Sequence, residues 1–414
     1  MSLDATSPGT QRALVTGATG GIGWAICQTL AAQGVRIALA DLDAATVQAR
    51  AAALGPEHVA LAADLTDPTT AARLPARAAE ALGGLDFVVN NAGVTDSSGR
   101  SLIDLPADAF DRLVALNLTA VEAICEAAAG LLPRGGRIVN LASGASWKPL
   151  AKRGPYSATK AGIVALTRAL AETLAPHGIV ASAVAPGYTR TPLVDELQRT
   201  GRVDLEAVAR SIPLGRIALP DDIAKAVAFC AGPDSTALAG ETILVDGGGS
   251  AGPAPSDTAP PAGTSEGGAL AVLGPLKIDS ASAIATDRDR LGEQAGLAAV
   301  IDATAFLGSL SPAEVLDGAR RTALACATHD GRARDFSLLF VAPEGQTPAQ
   351  QAACAALAML ARTLALEWAG AGLRVNALTW RGRSRGGLGA ICGFLTDPRS
   401  GFITAQSLRA GDPH

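Results

Sequence analysis

From Arg12 to about Gly249, short apolar runs alternate with longer stretches of helical periodicity. The runs RALVTG, RIALAD, VALAADL, LDFVVNNAG, GRIVNLAS, IVASAVAPG and ETILVDGG are rich in Val, Ile, Leu and Ala and are scarcely interrupted by polar residues. Nearly continuous apolar runs of this length predict strands covered on both faces. Strand and helix in regular alternation imply right-handed crossovers, so the predicted fold class is α/β with a doubly wound parallel sheet.

The pattern breaks at GSAGPAPSDTAPPAGTSEGG, a stretch rich in Pro, Gly, Ser and Thr with no large apolar side chain. Such a segment has too little surface to bury and predicts a flexible linker over 250–268. Beyond it the alternation resumes. ALAVLG, LAAVIDAT, FSLLFVAP and LRVNALTW predict strands. Helices are predicted around Ser311–Asp330, with Ser311 as N-cap ahead of Pro312 and Glu314, and around Thr347–Ala369. The expected organisation is therefore a first domain over 1–249 and a smaller, truncated one over 269–414. The shortened spacing between the first two of the later strands predicts that most of a dinucleotide-binding half is missing there.

Composition narrows the function. The 414 residues are 48% hydrophobic with a net charge of −5, enough for two cores and poorly suited to nucleic acid or an anionic membrane. The start MSLDATSPGTQR lacks an apolar signal core, and no long uncharged apolar run is evident, so the expected location is cytoplasmic. The six cysteines are scattered without a CxxC pair, as expected of reduced buried thiols, and the four histidines show no ligand spacing, so no metal is predicted.

The candidate chemistry begins at LVTGATGGIG. A strand leads into Gly17, Gly21 and Gly23 and a helical pattern follows. Glycines in this context let backbone amides approach a pyrophosphate at a helix N-terminus, the Rossmann-type arrangement. At the end of the second strand stands Asp41, a carboxylate that can accept ribose hydroxyls and repels a 2′-phosphate, which predicts NAD rather than NADP. Tyr156 and Lys160 are four apart and share a helix face. A phenol titrates near ~10, and a nearby ammonium favours its ionised form.

Residues 12–250 resemble the short-chain dehydrogenase/reductase family through TGATGGIG, NNAG at Asn90–Gly93, YSATK at Tyr156–Lys160 and PGYTRT at Pro186–Thr191. The resemblance implies an oxidoreductase interconverting a secondary alcohol and a ketone, with Asn117, Ser143, Tyr156 and Lys160 as its catalytic set. Ser146 is the nearest alternative hydroxyl to Ser143. Implied cofactor-binding residues are Gly17, Thr19, Gly20, Gly21, Ile22, Gly23, Asp41, Asp64, Leu65, Asn91, Ala92, Gly93, Tyr156, Lys160, Pro186, Gly187, Thr189 and Thr191. The stretch from Arg190 to Leu214 falls where the family carries a mobile lid, and Trp147 and Leu150 are candidates for the pocket wall. Alternatives are an NADPH-dependent 3-oxoacyl-thioester reductase, against which Asp41 speaks, and a scaffold that recruits a partner through the second domain.

The second domain resembles a degenerate repeat of the first. With Gly372 set under Gly178, Arg362 falls under Arg168 and Leu364 under Leu170, yet Gln350 meets Tyr156 and Cys354 meets Lys160. Packing positions are kept and reactive ones lost. The expectation is a non-catalytic domain acting as an internal pseudo-dimer partner through its two helices, in a protein that also forms homo-oligomers.

Overall fold

The structure is a computed structural model and describes residues 10–95, 98, 100–148, 150–254, 268–277, 283–286, 291, 296–308, 311–329, 332–382 and 387–412. The predicted linker lies mostly outside the described residues.

Seven strands form the first sheet: β1 (Arg12–Thr16), β2 (Arg36–Asp41), β3 (Val59–Ala62), β4 (Phe87–Asn90), β5 (Arg137–Leu141), β6 (Val180–Pro186) and β7 (Thr242–Val245). Their order is β3-β2-β1-β4-β5-β6-β7, a parallel, doubly wound, Rossmann-like sheet. The order reverses between β1 and β4, and in open α/β sheets that switch point opens a crevice at the carboxyl ends of the strands.

The crossovers are α1 (Gly21–Ala32), α2 (Ala44–Leu54), α3 (Pro68–Leu82), α4 (Ala107–Val114), α5 (Ala120–Ala129), α6 (Gly154–Leu174), α7 (Pro192–Arg199), α8 (Leu205–Ser211) and α9 (Pro220–Ala231). Their ends are set by local chemistry. Asp43 caps α2 by accepting the Thr46 amide at 2.7 Å. Asp67 caps α3 ahead of Pro68, and Gly83 ends that helix in the left-handed region. Between α4 and α5, Ala115–Thr119 winds as a π-helical segment. Such bulges often mark functional positions, and this one carries Asn117.

Six strands form the second sheet: β8 (Ala269–Leu273), β9 (Ala283–Thr286), β10 (Leu297–Asp302), β11 (Arg332–Pro343), β12 (Arg374–Trp380) and β13 (Ser407–Ala410). The order is β13-β12-β11-β10-β8-β9, all parallel. Among the described residues this is the order of the first sheet without a counterpart of β3. The second sheet is thus less truncated than its sequence suggests. Counterparts of β2 and β7 are present as β9 and β13, two short strands that the apolar pattern did not reveal.

Among the described residues three helices accompany this sheet: α10 (Pro312–Ala327), α11 (Pro348–Trp368) and α12 (Leu388–Thr396). Ser311 caps α10 by accepting the Glu314 amide, as its position predicts. By length and composition α11 is apolar enough to cross a membrane, a property the interrupted sequence run had concealed. In the structure it buries Ala353, Leu357, Ala361, Ala365 and Trp368 in the core of the second sheet.

The chain forms two compact units, Met1–Val184 with Ile223–Pro233, and Ala185–Asp222 with Asp234–Pro413. The expected boundary at 249 separates the two sheets but not these units. Within the second unit, the Leu244 amide of β7 donates to Gln406 Oε1 at 3.0 Å, and the Gly247 amide donates to the Phe402 carbonyl at 3.1 Å. The Gly411 amide donates to the Ala237 carbonyl at 3.0 Å. These bonds lie within the second unit and link β7 and its flanking segments to the segments on either side of β13. The sequence pointed instead to α10 and α11, which lie against their own sheet and against each other.

Candidate active site

The glycine loop follows β1. Gly17 has φ +62, where a side chain would be strained, and an added Cβ would lie 2.8 Å from Ala92 Cα. A Cβ on Gly23 would lie 1.9 Å from the Gly17 carbonyl oxygen. The loop is therefore closed tightly over the start of α1. Gly20 caps α1 without a side-chain bond, and the first turn carries no acidic residue. Its leading amides are thus unclaimed by any side chain, which suits a helix N-terminus facing a pyrophosphate. Gly23→Ala is expected to unseat the loop and to abolish nucleotide binding, with a stability loss of about 1–3 kcal/mol. Titration with NAD, alongside thermal unfolding, checks both.

Asp41 ends β2. Its Oδ2 accepts both the Thr19 amide at 3.0 Å and the Thr19 hydroxyl at 2.6 Å, and Oδ1 accepts the Leu42 amide at 2.8 Å. The carboxylate thus anchors the glycine loop while remaining half exposed. Asp64 is turned to its own backbone, accepting the Thr66 amide and hydroxyl. Those bonds hold its carboxyl below the usual range. Leu65 beside it is buried.

The end of β4 is tied to the same loop. Asn91 Nδ2 donates to the carbonyls of Thr16 at 3.0 Å and Gly17 at 2.9 Å. The Asn91 and Ala92 amides both donate to Thr16 Oγ1 at 3.1 Å. Asn117 is fully buried, and its amide group clamps Val94, accepting that residue's N–H and donating to its carbonyl, each at 2.8 Å. A Cβ on Gly93 would lie 3.1 Å from Asn117 Oδ1 and 3.3 Å from Lys160 Nζ. The strand end, the π-helical turn and the lysine therefore converge at Gly93.

Tyr156 lies in the first turn of α6. Burial lifts its phenol above the ordinary value, against a hydrogen bond with Ser143 and the charge of Arg153, which both pull it down. Lys160 Nζ donates to the Leu141 carbonyl at 2.8 Å, and burial lowers its pKa to about 8. The expected lowering of the phenol by this ammonium is not what sets it, because desolvation outweighs every favourable charge. Ser143 Oγ also accepts the Ala145 amide at 3.2 Å. The alternative, Ser146, has a buried hydroxyl without a hydrogen-bond partner. Trp147 and Leu150 are exposed, at 45% and 44%.

Pro186, Gly187, Thr189 and Thr191 lie in the second compact unit. The Gly187 amide donates to the Val245 carbonyl at 2.9 Å, and a Cβ there would meet Asp246 Cβ at 2.6 Å. Thr189 Oγ1 donates to the Gly187 carbonyl at 3.1 Å, and Thr191 caps α7 by accepting the Val194 amide.

A family model for enoyl-(acyl carrier protein) reductases matches residues 17–250, more than half of the chain. The chain belongs to the short-chain dehydrogenase/reductase family. An uncharacterized short-chain type dehydrogenase/reductase of Sinorhizobium fredii is 39% identical over 235 residues, 57% of this chain and 43% of that protein. The chain therefore spans less than half the length of that relative. Galactitol 2-dehydrogenase of Agrobacterium fabrum is 35% identical over 248 residues, covering 57% of this chain and 96% of the relative. Among solved structures, a short chain dehydrogenase from Burkholderia cenocepacia in complex with NADP is 37% identical, with a TM-score of 0.53, over 57% of this chain and 96% of that one.

Three positions of the second half that register with Ser143, Tyr156 and Lys160 carry other residues. Strand register places Pro343 where Ser143 stands. At the position of Tyr156, Gln350 completes a capping box with Thr347. At that of Lys160, the Cys354 thiol donates to the Pro343 carbonyl at 3.2 Å, and burial raises its pKa. A thiol in that state is a poor nucleophile.

Some of the site was missed by sequence reasoning. Thr16 positions two backbone amides, and Thr159 donates to the Tyr156 carbonyl at 2.9 Å. Asn90 Nδ2 donates to Asn140 Oδ1 at 2.9 Å, and Asn140 Nδ2 donates to Thr167 Oγ1 at 3.0 Å. The one available signal was Asn140 itself, a polar residue inside an otherwise apolar strand.

Proposed function

We propose that the protein is an NAD-dependent oxidoreductase that interconverts a secondary alcohol and a ketone. The observation that carries this reading is the hydrogen bond between Ser143 and the partly buried Tyr156 phenol, one helical turn from a buried lysine on the same helix. In this reading Tyr156 exchanges one proton with the substrate oxygen: its phenolate takes the alcohol proton in oxidation, and its phenol gives that proton to the ketone oxygen in reduction. Ser143 donates to the substrate oxygen as charge develops there. Lys160 contributes positive charge behind the phenol and fixes the adjoining strand end through Leu141. Asn117 holds Val94 and keeps Gly93 clear. NAD, when bound, supplies the hydride acceptor. Its pyrophosphate would be held by the loop Gly17, Thr19, Gly20, Gly21, Ile22 and Gly23, and its adenosine half by Asp41, Asp64 and Leu65. Its nicotinamide half would be held by Asn91, Ala92, Gly93, Pro186, Gly187, Thr189 and Thr191, with Tyr156 and Lys160.

The choice of NAD rests on Asp41. The Burkholderia relative shows that the family accommodates NADP, so the family alone does not decide. A carboxylate held by Thr19 at the strand end repels a 2′-phosphate. With a panel of secondary alcohols, kcat/KM is expected to favour NAD over NADP by about 100-fold or more, and Asp41→Asn to narrow that ratio. Faster turnover with NADP would sink the assignment. The description of the matching family model keeps an acyl-thioester reductase as the second reading. Preference for a 3-oxoacyl thioester over simple polyols in the same assay would favour it.

The second sheet, in this reading, is a non-catalytic partner built into the chain. Its attachment through Gln406 and Phe402 to the β7 end supports that role.

A further inference from the structure

Phe402 lies in the segment that leads into β13 and is among the largest fully buried side chains. Its ring and Ile212 press on the same point of Gly247. A Cβ built there would stand 2.7 Å from Phe402 Cζ and 2.8 Å from Ile212 Cγ2. The Arg216 guanidinium sits over the ring, 4.2 Å from its centre. Two residues on, Thr404 shares Gly248 with Pro213, at 3.3 and 3.2 Å by the same construction.

The segment 212–218 that Phe402 supports is not an isolated loop. The Leu214 amide donates to the Gly247 carbonyl at 3.2 Å. Arg216 pairs with Asp222 through two bonds, at 2.7 and 2.9 Å, and Asp222 accepts the Leu219 amide at 2.7 Å. The Ala218 amide donates to the Tyr188 carbonyl at 3.0 Å, and the Arg190 amide donates to the Ala218 carbonyl at 2.8 Å. Segments 186–190 and 212–218 are therefore one hydrogen-bonded piece. Phe402 braces it from the second sheet.

We propose that Phe402 is a positioning residue for the cofactor and substrate side of the first sheet. The second sheet would then serve the reaction by seating segment 186–191, and not only by adding stability. This rests on the proposed function, since 186–191 carries Pro186, Gly187, Thr189 and Thr191. A cation–π contact together with a buried aromatic ring is enough to select one seating of a short loop. Truncating the ring leaves Gly247 and Ile212 facing a void and frees the guanidinium.

The test is amide hydrogen exchange and steady-state kinetics on the full chain with Phe402→Ala, Phe402→Tyr and Arg216→Gln. Phe402→Ala is expected to speed exchange at Leu214, Ala218 and Arg190 by about tenfold or more, while β1, β4 and β5 keep their protection. KM for NAD and for the alcohol should rise about tenfold, with kcat changed by less than about threefold. Phe402→Tyr should restore both. Arg216→Gln should move them in the same direction by a smaller factor, and it reads the proposal if the alanine variant does not fold. Unchanged exchange at the three amides overturns the proposal. So does exchange that rises equally in every strand, or a fall in kcat with KM unchanged. If the wild-type chain turns over no alcohol with NAD, the functional reading fails by itself, and the exchange comparison still decides whether Phe402 seats the segment.

Discussion

Tyr156→Phe is expected to lower kcat by about 10²–10⁴-fold, the range spanned by positioned proton transfer, while NAD affinity changes by less than about twofold. The substitution removes one oxygen from a buried position and leaves the ring. The Ser143 hydrogen bond is lost, at about 1 kcal/mol, but the phenol's desolvation penalty goes with it. The hydroxyl's cost of leaving water is a neutral-group cost of similar size, so the two stability effects oppose each other and the melting temperature should hardly move. Steady-state turnover, nucleotide titration and thermal unfolding on the same preparation separate the roles. Turnover within tenfold of wild type would remove Tyr156 as the proton-transfer group.

Lys160→Met carries the second large effect, and it has two opposite signs. Activity should be lost, because the buried charge one turn along the helix from the phenol is gone. Stability should rise at neutral pH. The ammonium is 5% exposed, and its pKa falls from 10.5 to about 8 through burial. A cation whose folded pKa lies below its unfolded value is penalised by folding wherever it is charged. The penalty is complete below about pH 8, shrinks as pH rises towards 10.5, and vanishes above. Its size is about 3 kcal/mol. Loss of the donor to the Leu141 carbonyl returns about 1 kcal/mol. The variant should therefore be more stable than wild type by about 1–3 kcal/mol below pH 8, and the gain should fade by pH 10.5. Denaturant unfolding at pH 6.5 and pH 10 reads this directly. A variant less stable than wild type at pH 6.5 would show that the buried charge is compensated. Catalytic groups commonly sit in positions that weaken the fold.

The first sheet was legible because both of its faces are covered. Its strands are largely apolar, and each predicted run contains the strand observed. The glycine loop, Asp41 and the Tyr156–Lys160 pair were legible for a different reason, since their spacing is fixed by one strand-to-helix turn or one helix turn. What the sequence hid has physical causes. β9 and β13 have four residues each, too short to stand out as apolar runs. Asn117 sits in a π-helical segment, which no 3.6-residue pattern announces. The acidity of Tyr156 and Lys160 depends on burial, a property of the packed chain and not of their separation. The contact of Phe402 with Gly247 joins residues remote in sequence, and nothing in GFITAQS marks it.

Among the described residues the second sheet shows no counterpart of β3, so in the non-catalytic reading point substitutions alone would not give this half an active centre. About 23 residues link β8 to β10, against about 70 between β1 and β4. A parallel crossover needs a dozen or more residues for each added strand, and β9 already consumes this allowance. Writing serine, tyrosine and lysine back into positions 343, 350 and 354 would rebuild a proton path beside a sheet that has lost the strand flanking an adenosine pocket. It would also dismantle the capping box that now starts α11. In the non-catalytic reading, a second active centre would thus require an insertion as well as substitutions.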